Sequence, residues 1–359
     1  MSVRTSPVIE RVEPRRLMAV DIAFAGGDLT LTGDAGPNSV LVNTFQRPDG
    51  TAAAKRGTTS VFLDLPLLQS AANLTLTGAS STGTPASSAF QVGFPITSAT
   101  DYTYRVSPFA PLGGEIEHTG TVTFNNAITV GNFSIGFDPA RATNGRSGFF
   151  VRDTASNLGI LFDVSAPQSA TITARQFKVT GDLLVSPEFA ALLQQLNLAS
   201  ANLTGADVGN ALVAAKSAAN LAPFVVVHAD GADRSFPAAD VDSIAINTLG
   251  GVDHVTVRSV DKPVSVNLGG GSDRLFVVNG RNQLDVVGGN GNDRITLIGG
   301  TFSKLTIDAG IGDDVLNTTA TDLTGPATVT GGSGNDTLVS VSSDLKANNT
   351  SSFERLFVV

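Results

Sequence analysis

The stretch "LGGGSDRLFVVNGRNQLDVVGGNGNDRIT", residues 268–296, contains one short pattern twice. In each copy a glycine stands two residues before an aspartate, and a large apolar residue two residues after it: Gly271, Asp273 and Leu275, then Gly291, Asp293 and Ile295. Working outward, the pattern recurs in "TLGGVDHVT" (248–256), "AGIGDDVLN" (309–317) and "GGSGNDTLV" (331–339). The aligned aspartates are Asp253, Asp273, Asp293, Asp314 and Asp336, so the steps are 20, 20, 21 and 22 residues. A period of this length is the signature of a solenoid, in which every coil puts the same corner at the same place. The apolar residue two positions on points inward from its strand and stacks on its counterparts in adjacent coils. A second strand per coil is legible as "PVSVNL", "NQLDVV", "KLTID" and "PATVT". The opposite corners, "RSVDKP", "VNGRN", "GGTFS" and "TDLTG", share no pattern, so the solenoid is expected to be regular on one edge only.

These corners resemble the hemolysin-type (RTX-like) calcium repeat, GGxGxDxUx with U a large apolar residue. "GGNGNDRIT" and "GGSGNDTLV" match every fixed position, Ala309 and Leu268 replace the first glycine in two others, and the Asp253 corner lacks both leading glycines. The resemblance covers roughly residues 246–341 and implies a parallel β-roll. It also implies calcium ions between neighbouring corners, held by aspartate carboxylates and backbone carbonyls. Calcium takes six to eight oxygens, so one corner cannot saturate it and two stacked corners can. On this reading the metal-site residues are Asp273, Asp293, Asp314 and Asp336, with Asp313 and the corner glycines Gly271, Gly289, Gly291, Gly310, Gly312, Gly332 and Gly334. Glycine and aspartate are also default turn residues, so the same corners can be read without an ion.

Composition narrows the function classes. The 359 residues contain no cysteine, which excludes disulfides, thiolate metal sites and a cysteine nucleophile. Charged residues make up only 15% and the net charge is -9, which argues against nucleic acid as a partner and is compatible with divalent cations. No apolar run approaches the ~18 residues of a membrane span. "RVEPRRLMA", Arg11–Ala19, resembles the LEPR-type motif near the N-termini of large bacterial exported proteins, with Val12 in place of leucine.

Upstream of the solenoid, "DLTLTG" and "NSVLV" alternate like half-buried strands around the turn "GDAGPN", residues 45–60 read as a loop, and short alternating runs from residue 60 to 186 read as a β-sandwich. "SPEFAALLQQLNL" is the one good helix, with Ser186 as N-cap and Pro187 first. The Ala-rich stretch 201–220 reads as a linker or second helix. "ITVGNFSIGFDPAR", "SGFFVRDT", "GILFDVS", "GDLLVSPEFAALL" and "TGADVGNALV" are similar, in order, to an uncharacterised domain of bacterial exported proteins, over residues 112–213. That resemblance implies export and no chemistry.

No catalytic constellation emerges. His118, His228 and His254 are scattered, and on a strand Glu115 and Glu117 face away from His118. The expected architecture is all-β: a tail (1–21), a β-sandwich-like domain (22–186), a short helical connector (187–221) and a one-sided parallel β-solenoid (222–359). In a variant of this layout, residues 22–45 pair with the start of the solenoid and the sandwich is an insertion. The expected function is a non-catalytic, calcium-binding structural or adhesive module of an extracellular or cell-surface bacterial protein. Its partners would be calcium and a surface or matrix polysaccharide or protein. An exported enzyme acting on polysaccharide is the alternative.

Overall fold

The computed structural model describes residues 20–345 and 350–359; the Arg11–Ala19 motif lies outside them. The chain is mostly β and forms two compact units, one of residues up to Arg47 together with Ala222–Val359, the other Pro48–Leu221.

The first unit is a parallel β-solenoid built from two sheets. One sheet runs Asp28–Thr32, Ser243–Asn247, Val264–Asn267, Arg281–Val287, Thr301–Asp308 and Ala327–Thr330, with Asp21–Ala25 antiparallel at its start. The other begins with the first residues of the strand Ser39–Leu63. It continues through His254–Arg258, Arg274–Val278, Arg294–Ile298, Val315–Thr319, Thr337–Val341 and Arg355–Val358. Residues from the N-terminal side therefore supply the first coil, and residues 48–221 are inserted between it and the next.

Strand alternation explains the core. In Arg274–Val278 the burial alternates, Leu275 and Val277 being inside, and Val255, Ile295, Leu316 and Leu338 stack on Leu275 in register. Each such side chain contributes about 1.5–3 kcal/mol when fully buried. Near the far end the inner row turns polar: Thr318 and Ser340 stand where earlier coils have Val257, Val277 and Leu297. They remain satisfied because Thr318 Oγ1 donates to Ser340 Oγ at 3.0 Å and Ser340 Oγ to the Leu345 carbonyl at 2.9 Å.

The second edge is regular in conformation although not in sequence. Ser259, Asn279, Gly299, Ala320 and Ser342 all have positive φ, and each N–H bonds a carbonyl of the following coil. The repeated feature is a backbone angle near the surface, which serine, asparagine, glycine and alanine all fill with little packing consequence.

In the second unit the strand ladders run round in a circuit: Ser39–Leu63, Asp207–Ala229, Gln176–Val185, Gly159–Ser165, Arg146–Asp153, Ser134–Phe137 and Ile116–Glu117. An Ile96–His118 bridge and Val92–Ile96 then return it to the first strand. A separate three-stranded sheet, Leu76–Ser80, Thr121–Phe124 and Ile128–Gly131, contributes Val122, Phe124 and Val130 to the same apolar core.

Two expectations fail here. Residues 45–60 are not a loop but belong to the 25-residue strand Ser39–Leu63, which gains partners on the Pro48–Leu221 side from Val92–Ile96 and Thr103–Arg105. The Ala-rich stretch is strand from Asp207 onward, pairing antiparallel with Gln176–Val185. Helix propensity loses to tertiary pairing, and close approach fixes a glycine within the stretch: a Cβ on Gly209 would meet the Phe62 carbonyl oxygen at 2.0 Å. The helix Pro187–Gln195 forms as expected, with Ser186 Oγ accepting the Phe189 N–H and Phe189, Ala190 and Leu193 buried. A further helix, Leu65–Ala72, is capped by Asp64 and has proline in its first turn.

Candidate functional site

The aligned aspartates form one column inside the regular edge of the solenoid. Asp253, Asp273, Asp293, Asp314 and Asp336 are each at most 2% exposed, although aspartate is almost never fully buried without a partner. One oxygen of each is accounted for by the coil before it. Asp273 Oδ1 accepts the Asp253 N–H at 2.7 Å, Asp293 Oδ1 the Asp273 N–H at 2.8 Å, Asp314 Oδ1 the Asp293 N–H at 2.7 Å and Asp336 Oδ1 the Asp314 N–H at 2.9 Å. The other oxygen, Oδ2, is buried in all five and has no hydrogen-bond partner among the described residues.

The column extends beyond the five repeats. At its start Asn38 donates its N–H (2.7 Å) and its side-chain amide (3.0 Å) to Asp253 Oδ1. At its end Glu354 Oε2 accepts the Asp336 N–H at 2.7 Å. Asn38 lies in "GDAGPNSV" with Gly36 two before it and Val40 two after it, so the signal was present; asparagine in place of aspartate and a separation of 215 positions from Asp253 concealed it. Glu354 has Leu356 two residues on and Ser352, with positive φ, two residues before.

The corners are held by backbone. Gly271, Gly289, Gly291, Gly310, Gly312, Gly332 and Gly334 all have positive φ, and Gly269, outside that predicted set, does too. The requirement is sharpest at Gly291, where a Cβ would lie 1.8 Å from the Gly271 carbonyl oxygen. Leu268 and Ala309, which replace the first glycine of the repeat, are buried in the core, whereas a Cβ at Gly288 would lie 2.2 Å from the Ala309 carbonyl oxygen, so the position accepts a side chain in some coils only. Coil-to-coil bonds use the carbonyls of Gly269, Gly289 and Gly310. The carbonyls of Gly271, Gly291 and Gly312 accept no backbone hydrogen bond among the described residues. Asp313 sits outside the buried column, at an exposed tip, where its Oδ1 accepts the Asn335 N–H and its own N–H bonds Asn292 Oδ1.

Burial, followed by repulsion from neighbouring carboxylates, pushes Asp293 up to about 7; burial with repulsion from Asp336, Asp313 and Asp308 pushes Asp314 up to about 6. Asp273 and Asp336 are raised for the same first reason. A buried half-satisfied carboxylate requires a positive counterpart, either a proton or a cation. The donors are all oxygen, the set that suits a hard cation such as calcium. Among the described residues no three acidic or imidazole side chains converge on one point, so a cation here would need the free glycine carbonyls as well.

Among the described residues, several ionisable groups elsewhere are occupied by structural contacts. Arg141 binds Asp163 at 2.6 Å and Glu188 through two bonds, which hold Glu188 down at about 2. Arg152 pairs with Glu115, Asp138 caps a short helical turn, and buried Asp153 accepts the N–H groups of Gly131, Ser156 and Leu158. His118 is buried between Thr59 Oγ1 (2.7 Å) and the Phe133 carbonyl (2.8 Å), and burial lowers it to about 4.

No protein family matches the sequence, and no curated protein does. Among solved structures, the C-terminal domain of HtaA from Corynebacterium glutamicum matches with a TM-score of 0.29 and 10% identity, covering 46% of this chain and 99% of that one. Among the described residues no helix is long and apolar enough to cross a membrane.

Proposed function

We propose that the chain is a calcium-stabilised, non-catalytic structural or adhesive module of an exported, surface-associated bacterial protein. The observation that carries this reading is the column of five buried aspartates, each with one oxygen bonded to the adjacent coil and the other without a hydrogen-bond partner among the described residues. Asp273, Asp293, Asp314 and Asp336 would hold calcium through their carboxylates, together with carbonyls of corner glycines such as Gly271, Gly291 and Gly312. When bound, the ion supplies the positive charge that a stack of desolvated carboxylates otherwise lacks.

The chain's own contribution is positioning. Backbone N–H groups fix one oxygen of each carboxylate, and positive-φ glycines bring successive corners close enough for two of them to share a ligand. Binding then becomes folding free energy, and the module orders where calcium is abundant. Affinity in the range of extracellular modules, roughly 10⁻⁴–10⁻³ M, would suit that role.

The test is a calcium titration of the full chain followed by calorimetry and thermal unfolding. Heat of binding with a rise in the unfolding temperature supports the reading. The absence of both at about 10 mM calcium, tenfold above the weak end of that range, rejects it.

A further inference from the structure

We infer that the outward face of the second solenoid sheet binds a linear acidic polysaccharide, with Arg274 and Arg294 pairing its carboxylates. This surface is separate from the aspartate column and shares with it only the need for a folded solenoid.

Alternation along the strands decides which side chains face out. From His254 to Val358 the outward positions of this sheet carry His254, Arg258, Arg274, Arg294 and Arg355 and no aspartate or glutamate. The other sheet turns Asp28 and Asp308 to solvent and leaves Asp285 partly exposed. The other sheet also exposes Arg281 and Lys304, the latter paired with Asp285 at 3.3 Å, so what sets this face apart in a chain of net charge -9 is basic side chains with no acidic ones among them.

Parallel register sharpens the pattern. His254, Arg274 and Arg294 lie directly opposite one another on consecutive strands, a rung every ~4.8 Å. Neither arginine has a carboxylate within 4.0 Å: the ion pairs of the described residues involve Arg141, Arg146, Arg152, His228 and Lys304 instead. In the neighbouring row Phe276, 40% exposed, stands between Thr256 and Thr296. Arg274, Phe276, Arg294 and Thr296 together bound a shallow recess of about 340 Å³.

Two guanidinium forks one rung apart, beside an aromatic ring, match a particular chemistry. Guanidinium binds carboxylate through paired hydrogen bonds, and the ring offers an apolar platform for the face of a sugar. An acidic sugar chain laid across these strands can present a carboxylate to the arginine row and a ring face to Phe276 at the same time. A single-stranded nucleic acid would instead call for a series of aromatic platforms, and the next outward aromatic ring in Phe276's row is Phe357, four strands away.

The experiment measures binding of the full chain to a galacturonate hexamer, a neutral glucose hexamer and an oligothymidylate, in chelator to exclude calcium bridging. Wild type is compared with the Arg274→Gln, Arg294→Gln double variant, whose fold is checked by circular dichroism and is expected to be unchanged because both side chains are exposed. The proposal predicts binding of the uronate hexamer, weakened at least tenfold in the double variant and weakened by salt, with little binding of the neutral sugar. No uronate binding, equal binding by the folded double variant, equal binding of the neutral hexamer, or tighter binding of the oligothymidylate would each overturn it. The measurement is made in chelator at a temperature where circular dichroism shows the wild-type chain folded, so its outcome is separate from that of the calcium titration.

Discussion

Asp314 and Asp293 meet across one turn of the solenoid: Asp314 Oδ1 accepts the Asp293 N–H at 2.7 Å, while Asp314 Oδ2 is buried with no partner. The same relation repeats along the column, so each carboxylate does two separable things. One oxygen ties coil to coil, and the other is left for a proton or a cation. Substitutions that separate these roles distinguish a structural ladder from a metal site.

Asp293→Asn keeps an oxygen for the Asp273 N–H and removes the charge. In chelator this variant should be as stable as wild type or more so, and the stabilisation that calcium gives wild type should shrink. Asp293→Ala leaves the buried Asp273 N–H without its partner and should lose about 1–3 kcal/mol with or without calcium. Paired thermal melts of the three proteins, with and without calcium, read both effects.

At the head of the column, Asn38→Asp would set a second carboxylate against Asp253 Oδ1, where the Asn38 amide now donates at 3.0 Å. In chelator at neutral pH it should destabilise the solenoid by about 1–3 kcal/mol, and acidification should relieve most of that loss. Denaturant titration at two pH values checks this.

Gly291→Ala should be among the most damaging small substitutions. It combines φ +123 with a Cβ 1.8 Å from the Gly271 carbonyl oxygen, and about 2 kcal/mol or more should be lost. Ser333→Ala, at an exposed corner tip, should change stability by less than about 0.5 kcal/mol. Chemical denaturation of both variants compares them directly.

The two units should respond to pH in opposite directions when metal is absent. Folded Asp293 and Asp314 titrate near 7 and 6 against about 4 in an unfolded chain, so the folded solenoid binds protons more tightly. Its stability should rise as pH falls from above 7 toward 4. His118 behaves oppositely: folded it titrates near 4 against about 6.5 unfolded, so the unfolded state takes the proton first. The unit containing it should lose stability as pH falls from 6.5 to 4. Hydrogen exchange at Leu275 and Ile295 against Val122 and Val130 follows the two units separately.

Much of the solenoid was legible because its constraint repeats. A buried aspartate, a positive-φ glycine and an inward apolar residue recur in five coils, and the period exposes them. Asn38 and Glu354 escaped because the end rungs satisfy the same backbone N–H geometry with other side chains. The second edge escaped because its repeated feature is a dihedral angle at exposed positions such as Ser259 and Ala320, which leaves no residue signature. Residues 45–60 and 207–221 were misread because their strand partners lie far away in sequence, and local propensity carries no information about Thr58 facing Pro95 or Lys216 facing Gln176. That the column's aspartates would turn inward, with one oxygen tied and one free, depends on atomic geometry that spacing alone does not contain.

The most direct measurement is a crystal grown in calcium, examined for anomalous scattering along the aspartate column. The account predicts ions between adjacent corners, with peaks bounded by Asp273 and Asp293, by Asp293 and Asp314 and by Asp314 and Asp336, in contact with the oxygens that now lack a partner. A well-ordered column with no such peaks, or calcium only at exposed carboxylates such as Asp313, would contradict it.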